Sequence, residues 1–590
     1  MRKNRGKMIK KLLGSIREYK KESILTPVFI IVEVAMEVLI PLLINWFGAC
    51  LQNGDAKGML MYGLLMVLSA AVSLMAGMIA GKMCAKAATG FSKNLRHDMF
   101  KNIQGFSFAN IDKFSTSSLV TRLTTDVSNV QMAYMMIIRT AIRSPLMFIF
   151  SVVMSFLISD TLPAIFCVTI PVLAFGIIFI IKNAMPIFKR VFKKYDNLNE
   201  SVQENIKGMR VVKAYVREDY ETEKFTTVSS GLAKDFIKAE KILALNNPLM
   251  QFCLNISLLL IAFFGSQIII SQTQDLNVFG LTSLLTYSLQ ILMSLQMLSM
   301  IFVMITLSLE SARRIVEVLD EKSTLTNKEN AIKAVADGTI EFNNVNFSYY
   351  KGAEKNILSN INLKIESGKT VGIIGGTGSG KTSLVNLISR LYDVSEGEVK
   401  VGGVNVKDYD MEVLREEVAV VLQKNVLFSG TIKENLRWGD NNATDEELIA
   451  ACKMACAHEF ITSFPNGYDT FIEQGGTNVS GGQKQRLCIA RAILKKPKVI
   501  IFDDSTSAVD MKTDAMLRKA IKTELPAVTK IIVAQRIASV QDADFIVVMD
   551  GGEINAVGTH EELLNSNAIY QEVYTSQHKM ADFDEKGGEN

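Results

Sequence analysis

The run Gly375-Gly376-Thr377-Gly378-Ser379-Gly380-Lys381-Thr382 sets glycines, a lysine and hydroxyls between an apolar β-branched stretch at residues 370–374 and a helix N-terminus beginning near Lys381, with Ser383 also among the expected nucleotide-binding residues. A loop of this composition turns its backbone N–H groups inward with little side-chain bulk, as a triphosphate requires. Each charge-assisted hydrogen bond contributes roughly 1.5–3 kcal/mol. Lys381 adds a point charge toward the β- and γ-phosphates, and Thr382 offers a hydroxyl to Mg²⁺, so the predicted ligand is ATP with Mg²⁺. Further on, Ser480-Gly481-Gly482-Gln483 precedes a helical stretch at residues 484–494, a second helix N-terminus suited to phosphate. The apolar strand at residues 499–502 ends in Asp503-Asp504, Gln535 follows a strand at residues 530–534, and Gln423 closes Val421-Leu422-Gln423.

Taken in this order, the elements resemble the nucleotide-binding cassette of ABC transporters. The resemblance implies that Asp503 and Thr382 hold the metal and that Gln423 contacts metal and attacking water. It also implies that Tyr349, ahead of the phosphate loop, stacks on adenine. Ser480, Gly481, Gly482 and Gln483 then act across a dimer, because one nucleotide sandwiched between two helix N-termini requires cassettes facing head to tail. Val479 stands at the usual leucine position of that motif, and Ser507-Ala508-Val509-Asp510 resembles the loop that communicates between sites. Two positions depart from the family's pattern. Asp504 replaces the glutamate that follows the metal-binding aspartate, and Gln535 replaces the switch histidine. Shortening the side chain withdraws the carboxylate by ~1.5 Å, and a misplacement of ~1 Å costs on the order of 10²-fold in rate. Gln535 can hydrogen-bond to a γ-phosphate but neither carries positive charge nor exchanges a proton. The catalytic set Asp504, Gln535 and Gln423 is therefore expected to hold ATP and cleave it slowly.

These residues need a scaffold, and the composition indicates one partly within a bilayer. The chain has 590 residues, 48% of them hydrophobic, and a mean hydropathy of +0.21. Apolar runs at residues 24–51, 59–87, 133–158, 161–185, 247–271 and 278–307 each suffice for a ~20-residue span. Lys and Arg ahead of the first run, and the long basic segments after the second and fourth, place the N-terminus and those segments in the cytoplasm of a multi-pass plasma-membrane protein. The connections at residues 53–55, 159–160 and 272–275 are short and poor in positive charge, as outside loops are. Residues 10–22 read as an interfacial helix. The stretches from Phe108 to Val127 and from Glu204 to Glu218 resemble the two intracellular loops of six-helix ABC exporters.

The expected fold class is thus a membrane α-helical domain of six transmembrane helices with long intracellular extensions (residues 1–319), a linker (320–337), an α/β P-loop nucleotide-binding domain with a parallel core (338–580) and a polar tail (581–590). The net charge of +4 concentrates at the cytoplasmic faces, which excludes nucleic acid as a partner and favours anionic lipid. Seven scattered cysteines form neither a disulfide framework nor a zinc site. The function expected is export as one subunit of a heterodimer, whose partner is a second ABC half-transporter with the intact Glu and His. A homodimeric exporter or lipid flippase with slow hydrolysis, and an ATP-gated channel or regulator, are the alternatives. Drug-like amphipathic small molecules, lipids and peptides all remain open as substrates. Glu33 and Glu37, one turn apart in the first span, either attract cations or pair structurally.

Overall fold

A computed structural model describes residues 2–272, 276–350, 355–504 and 511–587. The expected outside loop at 272–275 lies largely beyond these residues, and Ser507 to Asp510 lies wholly beyond them. By contacts the chain divides into two units, residues 1–104 with 116–321, and residues 105–115 with 322–590.

The first unit is helical because a lipid-embedded backbone must satisfy its hydrogen bonds within each segment. Its candidate spans lie within Gly6–Gln52, Ala56–Gln104, Thr116–Ile158, Ala164–Phe188, Glu218–Ser271 and Val278–Phe302. The interfacial helix expected over residues 10–22 is divided. Helix Arg2–Leu13 ends before a tight turn at Gly14–Tyr19, in which Arg17 takes a left-handed backbone (φ 43°), and helix Lys20–Gln52 then begins. Gly14 is a weak helix former. The turn is held from outside, with Ser15 Oγ donating to Asp98 Oδ2 at 3.0 Å and Asn94 Nδ2 to the Ser15 carbonyl at 3.0 Å. Helix Ala56–Gln104 buries Ala76, Ala80, Cys84, Ala87 and Ala88, small residues that let neighbouring helices approach where lipid supplies no hydrophobic drive. Nearer the cytoplasmic end, the fully buried Asp126 accepts Arg314 Nε at 2.8 Å and Nη2 at 2.6 Å, and Ser311 Oγ at 2.8 Å. Such a paired geometry offsets the desolvation of the carboxylate.

In the second unit a six-stranded sheet runs in the order Glu553–Gly558, Phe545–Asp550, Thr370–Gly375, Thr529–Val533, Val499–Asp503, Val418–Val421. Its first strand is antiparallel to its neighbour and the remainder are parallel. The central strands are buried almost throughout, hence their apolar cores Val371–Ile374, Val499–Phe502 and Ile531–Val533. Residues 340–347 form a single irregular strand, Ile340–Phe347, in a separate antiparallel sheet with Leu358–Ile365 and Glu396–Val401, outside the parallel core. Its alternating burial is that of a sheet with one covered face. The polar stretch after residue 320 also lies down on this unit, burying Leu325 and Val335 and pairing Ile332 with Tyr409. Within the same unit, the short capped helix Phe108–Lys113 receives a hydrogen bond from Tyr392 Oη to Asp112 Oδ2 at 2.7 Å, and Phe108 meets the Tyr392 ring edge-on.

Candidate nucleotide site

Parallel strands deliver their C-terminal ends to one edge of a sheet, where ligands bind in open α/β folds. Here Thr370–Gly375 feeds the phosphate loop, Val499–Asp503 feeds Asp503 and Asp504, and Thr529–Val533 leads to Gln535. The loop ends at Gly380, which caps helix Lys381–Ile388 in a left-handed conformation (φ 94°). A Cβ there would lie 2.7 Å from Leu358 Cδ2 and 3.2 Å from the Ile357 carbonyl. At Gly376 and Gly378, by contrast, a Cβ would meet nothing within 4 Å. The open side leaves room for a phosphate, while the closed side is packing. Gly380→Ala is therefore expected to cost about 1–3 kcal/mol of stability through backbone strain, read as a lowered urea midpoint.

Lys381 Nζ folds back to donate to the carbonyls of Gly375 and Gly376 at 2.8 Å each, with Ser379 Oγ at 3.4 Å. The ammonium thus sits within the loop it would serve. Burial lowers its pKa from the ordinary lysine range, and the charges of Asp504 and then Asp503 pull it back up. Thr382 Oγ1 donates to Asp503 Oδ1 at 2.9 Å, so two of the three predicted metal-contacting residues meet, while the third, Gln423, turns its amide toward Asp504. Burial raises the Asp503 pKa, the Thr382 hydrogen bond opposes this, and Asp504 adds to the rise. Two hard oxygen donors beside a phosphate cradle fit Mg²⁺, which keeps waters and takes substrate phosphates rather than a full protein cage. Among the described residues no cluster of three or more His, Cys, Asp or Glu suggests any other metal site.

The two departures from the family's pattern touch each other. Gln535 Nε2 donates to Asp504 Oδ2 at 2.9 Å, and Gln423 Nε2 approaches the same oxygen at 3.4 Å. Asp504 itself takes a left-handed backbone (φ 46°) that aspartate tolerates better than most side chains. Tyr349 Oη shares a 2.8 Å hydrogen bond with Ser383 Oγ, and its ring meets Phe347 and Tyr392 edge-on at 4.9 Å and 5.0 Å. Tyr349 is still partly exposed, which leaves ring surface for a base.

Ser480, Gly481, Gly482 and Gln483 stand apart from this group. Helix Gly481–Leu494 begins three residues earlier than its sequence signal at 484, with Ser480 Oγ accepting from Gln483 N at 3.2 Å and Gln483 Oε1 accepting from Ser480 N at 2.9 Å. This reciprocal cap fixes the helix start. Sequence reasoning missed Gln577, on helix Ala568–Gly587, whose Nε2 donates to the Gln535 carbonyl at 2.8 Å while its Oε1 accepts from Ile537 N at 2.9 Å. No motif marks a glutamine so far along the chain. Gln577→Ala should speed amide exchange at Ile537 about tenfold, equivalent to ~1.4 kcal/mol of lost local protection, measurable by hydrogen-exchange mass spectrometry.

Comparison with known proteins identifies the family. Residues 23–295 match the family model described as ABC transporter transmembrane region, and residues 358–507 match that described as ABC transporter. The uncharacterized ABC transporter ATP-binding protein YfiB of Bacillus subtilis is 34% identical over 573 residues, covering 96% of this chain and 98% of its own. YfiC of the same organism is 32% identical, with 82% and 80% covered. Among solved structures, a bacterial Atm1-family ABC exporter with ATP bound has the same fold, with a TM-score of 0.81 at 22% identity, covering 95% of this chain and 98% of that one. The chain accordingly belongs to the ABC transporter family, as a half-transporter whose membrane region and ATP-hydrolysing domain are fused in one polypeptide.

Proposed function

We propose that this chain is the slowly hydrolysing half of a heterodimeric ABC exporter. Its own phosphate loop holds ATP with Mg²⁺, and its Ser480–Gln483 helix start completes an active site on a partner that carries the family's Glu and His. The contact between Asp504 and Gln535 carries the reading. A general base must hold its carboxylate oxygen within reach of the attacking water, and Asp504 Oδ2 instead accepts an amide N–H from Gln535, which lowers the basicity of that oxygen. A carboxamide cannot relay the proton onward. Asp504 is also a bond shorter than the family's glutamate, so its position works against hydrolysis.

ATP at such a site acts as a clamp, stabilising the closed cassettes by its differential affinity for the two states. Hydrolysis at the partner's site then resets the transporter, and the transported molecule is an amphipathic small molecule, lipid or peptide. The test compares phosphate release from purified assemblies of this chain alone with the co-expressed pair. The pair should turn over on the order of 10²-fold faster, following the misplacement of the base, and Asp503→Ala in this chain should leave most of that turnover. Rapid release by identical copies of this chain would refute the assignment.

A further inference from the structure

In the membrane unit, Glu33 and Glu37 of helix Lys20–Gln52 converge on Arg143 of helix Thr140–Ile158. Arg143 Nη1 pairs with Glu33 Oε1, and Nη2 donates to Glu37 Oε2 at 2.6 Å. Two carboxylates therefore share one guanidinium. The second oxygen of Glu33, Oε2, is buried without a hydrogen-bond partner, and the residue is only 9% exposed. Its carboxylate rests against Gly77 of the neighbouring helix, where a Cβ would lie 3.2 Å from Cδ. Arg139, a turn away beside Gly81, makes no ion pair with either acid among the described residues.

Position and surroundings define what such a group can bind. Glu37 lies ~22 Å along its helix from the end at Gln52, and Arg143 a similar distance from Ile158, at ~1.5 Å per residue. In a hydrocarbon layer ~30 Å thick that depth falls in the half nearer the basic N-terminal side. Around it stand the buried Ile30, Val34, Val38, Met147 and Tyr287. The side chains of Arg143 and Glu37 are nevertheless 32% and 34% exposed. Charges open to acyl chains are costly, so this face borders a water-filled path or the bundle interior rather than lipid.

Resting on the exporter reading above, we propose that Glu33 and Glu37 form a binding point for the cationic group of an amphipathic substrate. Arg143 is its tethered occupant, displaced from Glu37 when the substrate's cation arrives. The apolar wall packs the substrate's hydrophobic body, and the unpartnered Glu33 oxygen takes up part of the incoming charge.

The probes are tetraphenylphosphonium and tetraphenylborate, ions of matched shape and opposite charge. Their equilibrium binding is measured, without nucleotide, to the full-length chain in lipid nanodiscs after subtraction of empty discs. The cation is expected to bind at least tenfold tighter than the anion. Glu37→Gln should erase about tenfold of that preference, equivalent to ~1.4 kcal/mol, and Glu37→Asp should restore most of it. Arg143→Met, which frees a carboxylate, should tighten cation binding several-fold, a gain that a misfolded variant would not give. Equal affinity for the two ions, no binding of either, or a preference unchanged in both Glu33→Gln and Glu37→Gln would overturn the proposal. Since no nucleotide is present, each of these results leaves the assignment of slow hydrolysis to Asp504 standing.

Discussion

Restoring the family's pair, Asp504→Glu with Gln535→His, is expected to raise ATP hydrolysis at this chain's own phosphate loop by about 10²-fold, or ~2.7 kcal/mol of barrier. The glutamate regains the bond length that aspartate lacks. The histidine removes the amide N–H now held at 2.9 Å on Asp504 Oδ2 and provides a group that exchanges protons near neutral pH. A cost opposes the gain, because position 504 has φ 46° and a longer side chain in the left-handed region costs about 1–2 kcal/mol. That penalty falls on folding in both the resting and the reacting protein, so it cancels from the rate. The measurement is single-turnover phosphate release by assemblies of this chain alone. Neither single change should suffice: glutamate alone meets the Gln535 amide, and histidine alone meets a carboxylate still too short. A double variant no faster than the original would show that the hydrolytic limit lies elsewhere.

The second large effect concerns the helix start at Gly481. Placing a carboxylate there, Gly481→Glu, should lower turnover of the co-expressed pair by about 10²–10³-fold, the cost of losing an oriented donor set from a developing negative charge. Local folding does not suffer, since Gly481 is the first residue of helix Gly481–Leu494 and its φ is not positive. An acidic residue in a first turn also favours the helix. The Ser480–Gln483 cap remains in place to hold the terminus. ATP bound at this chain's own loop, assayed by photolabelling, should persist, because no hydrogen bond among the described residues links Ser480 or Gln483 to that loop. If Gly481→Glu instead removed ATP from this chain's loop and spared the pair's turnover, the trans arrangement would be wrong.

Much of this molecule was legible in its residues. The phosphate loop, Asp503, Thr382 and the spans are local signals: glycines where a backbone must face phosphate, apolar runs as long as a bilayer is thick. The helix start at Ser480 was legible too, though its first residues precede the apolar periodicity because the cap lies outside it. The division of residues 340–347 from the parallel core was not, since a short β-branched run fits either kind of sheet. Only the folded chain decided which long-range partners each polar group found. Asp504 and Gln535 were separate oddities until adjacent parallel strands set them in contact. Gln577 gained its place from a helix packed near the end of the chain, and Arg143 joined Glu33 to Glu37 across two helices. The sequence by itself determined the phosphate loop, the spans and the two departures at Asp504 and Gln535, because those depend on residue type at short spacing. The tertiary structure decided the company each charge keeps, because desolvation makes a buried polar group's partner depend on whatever the packing brings within ~3 Å.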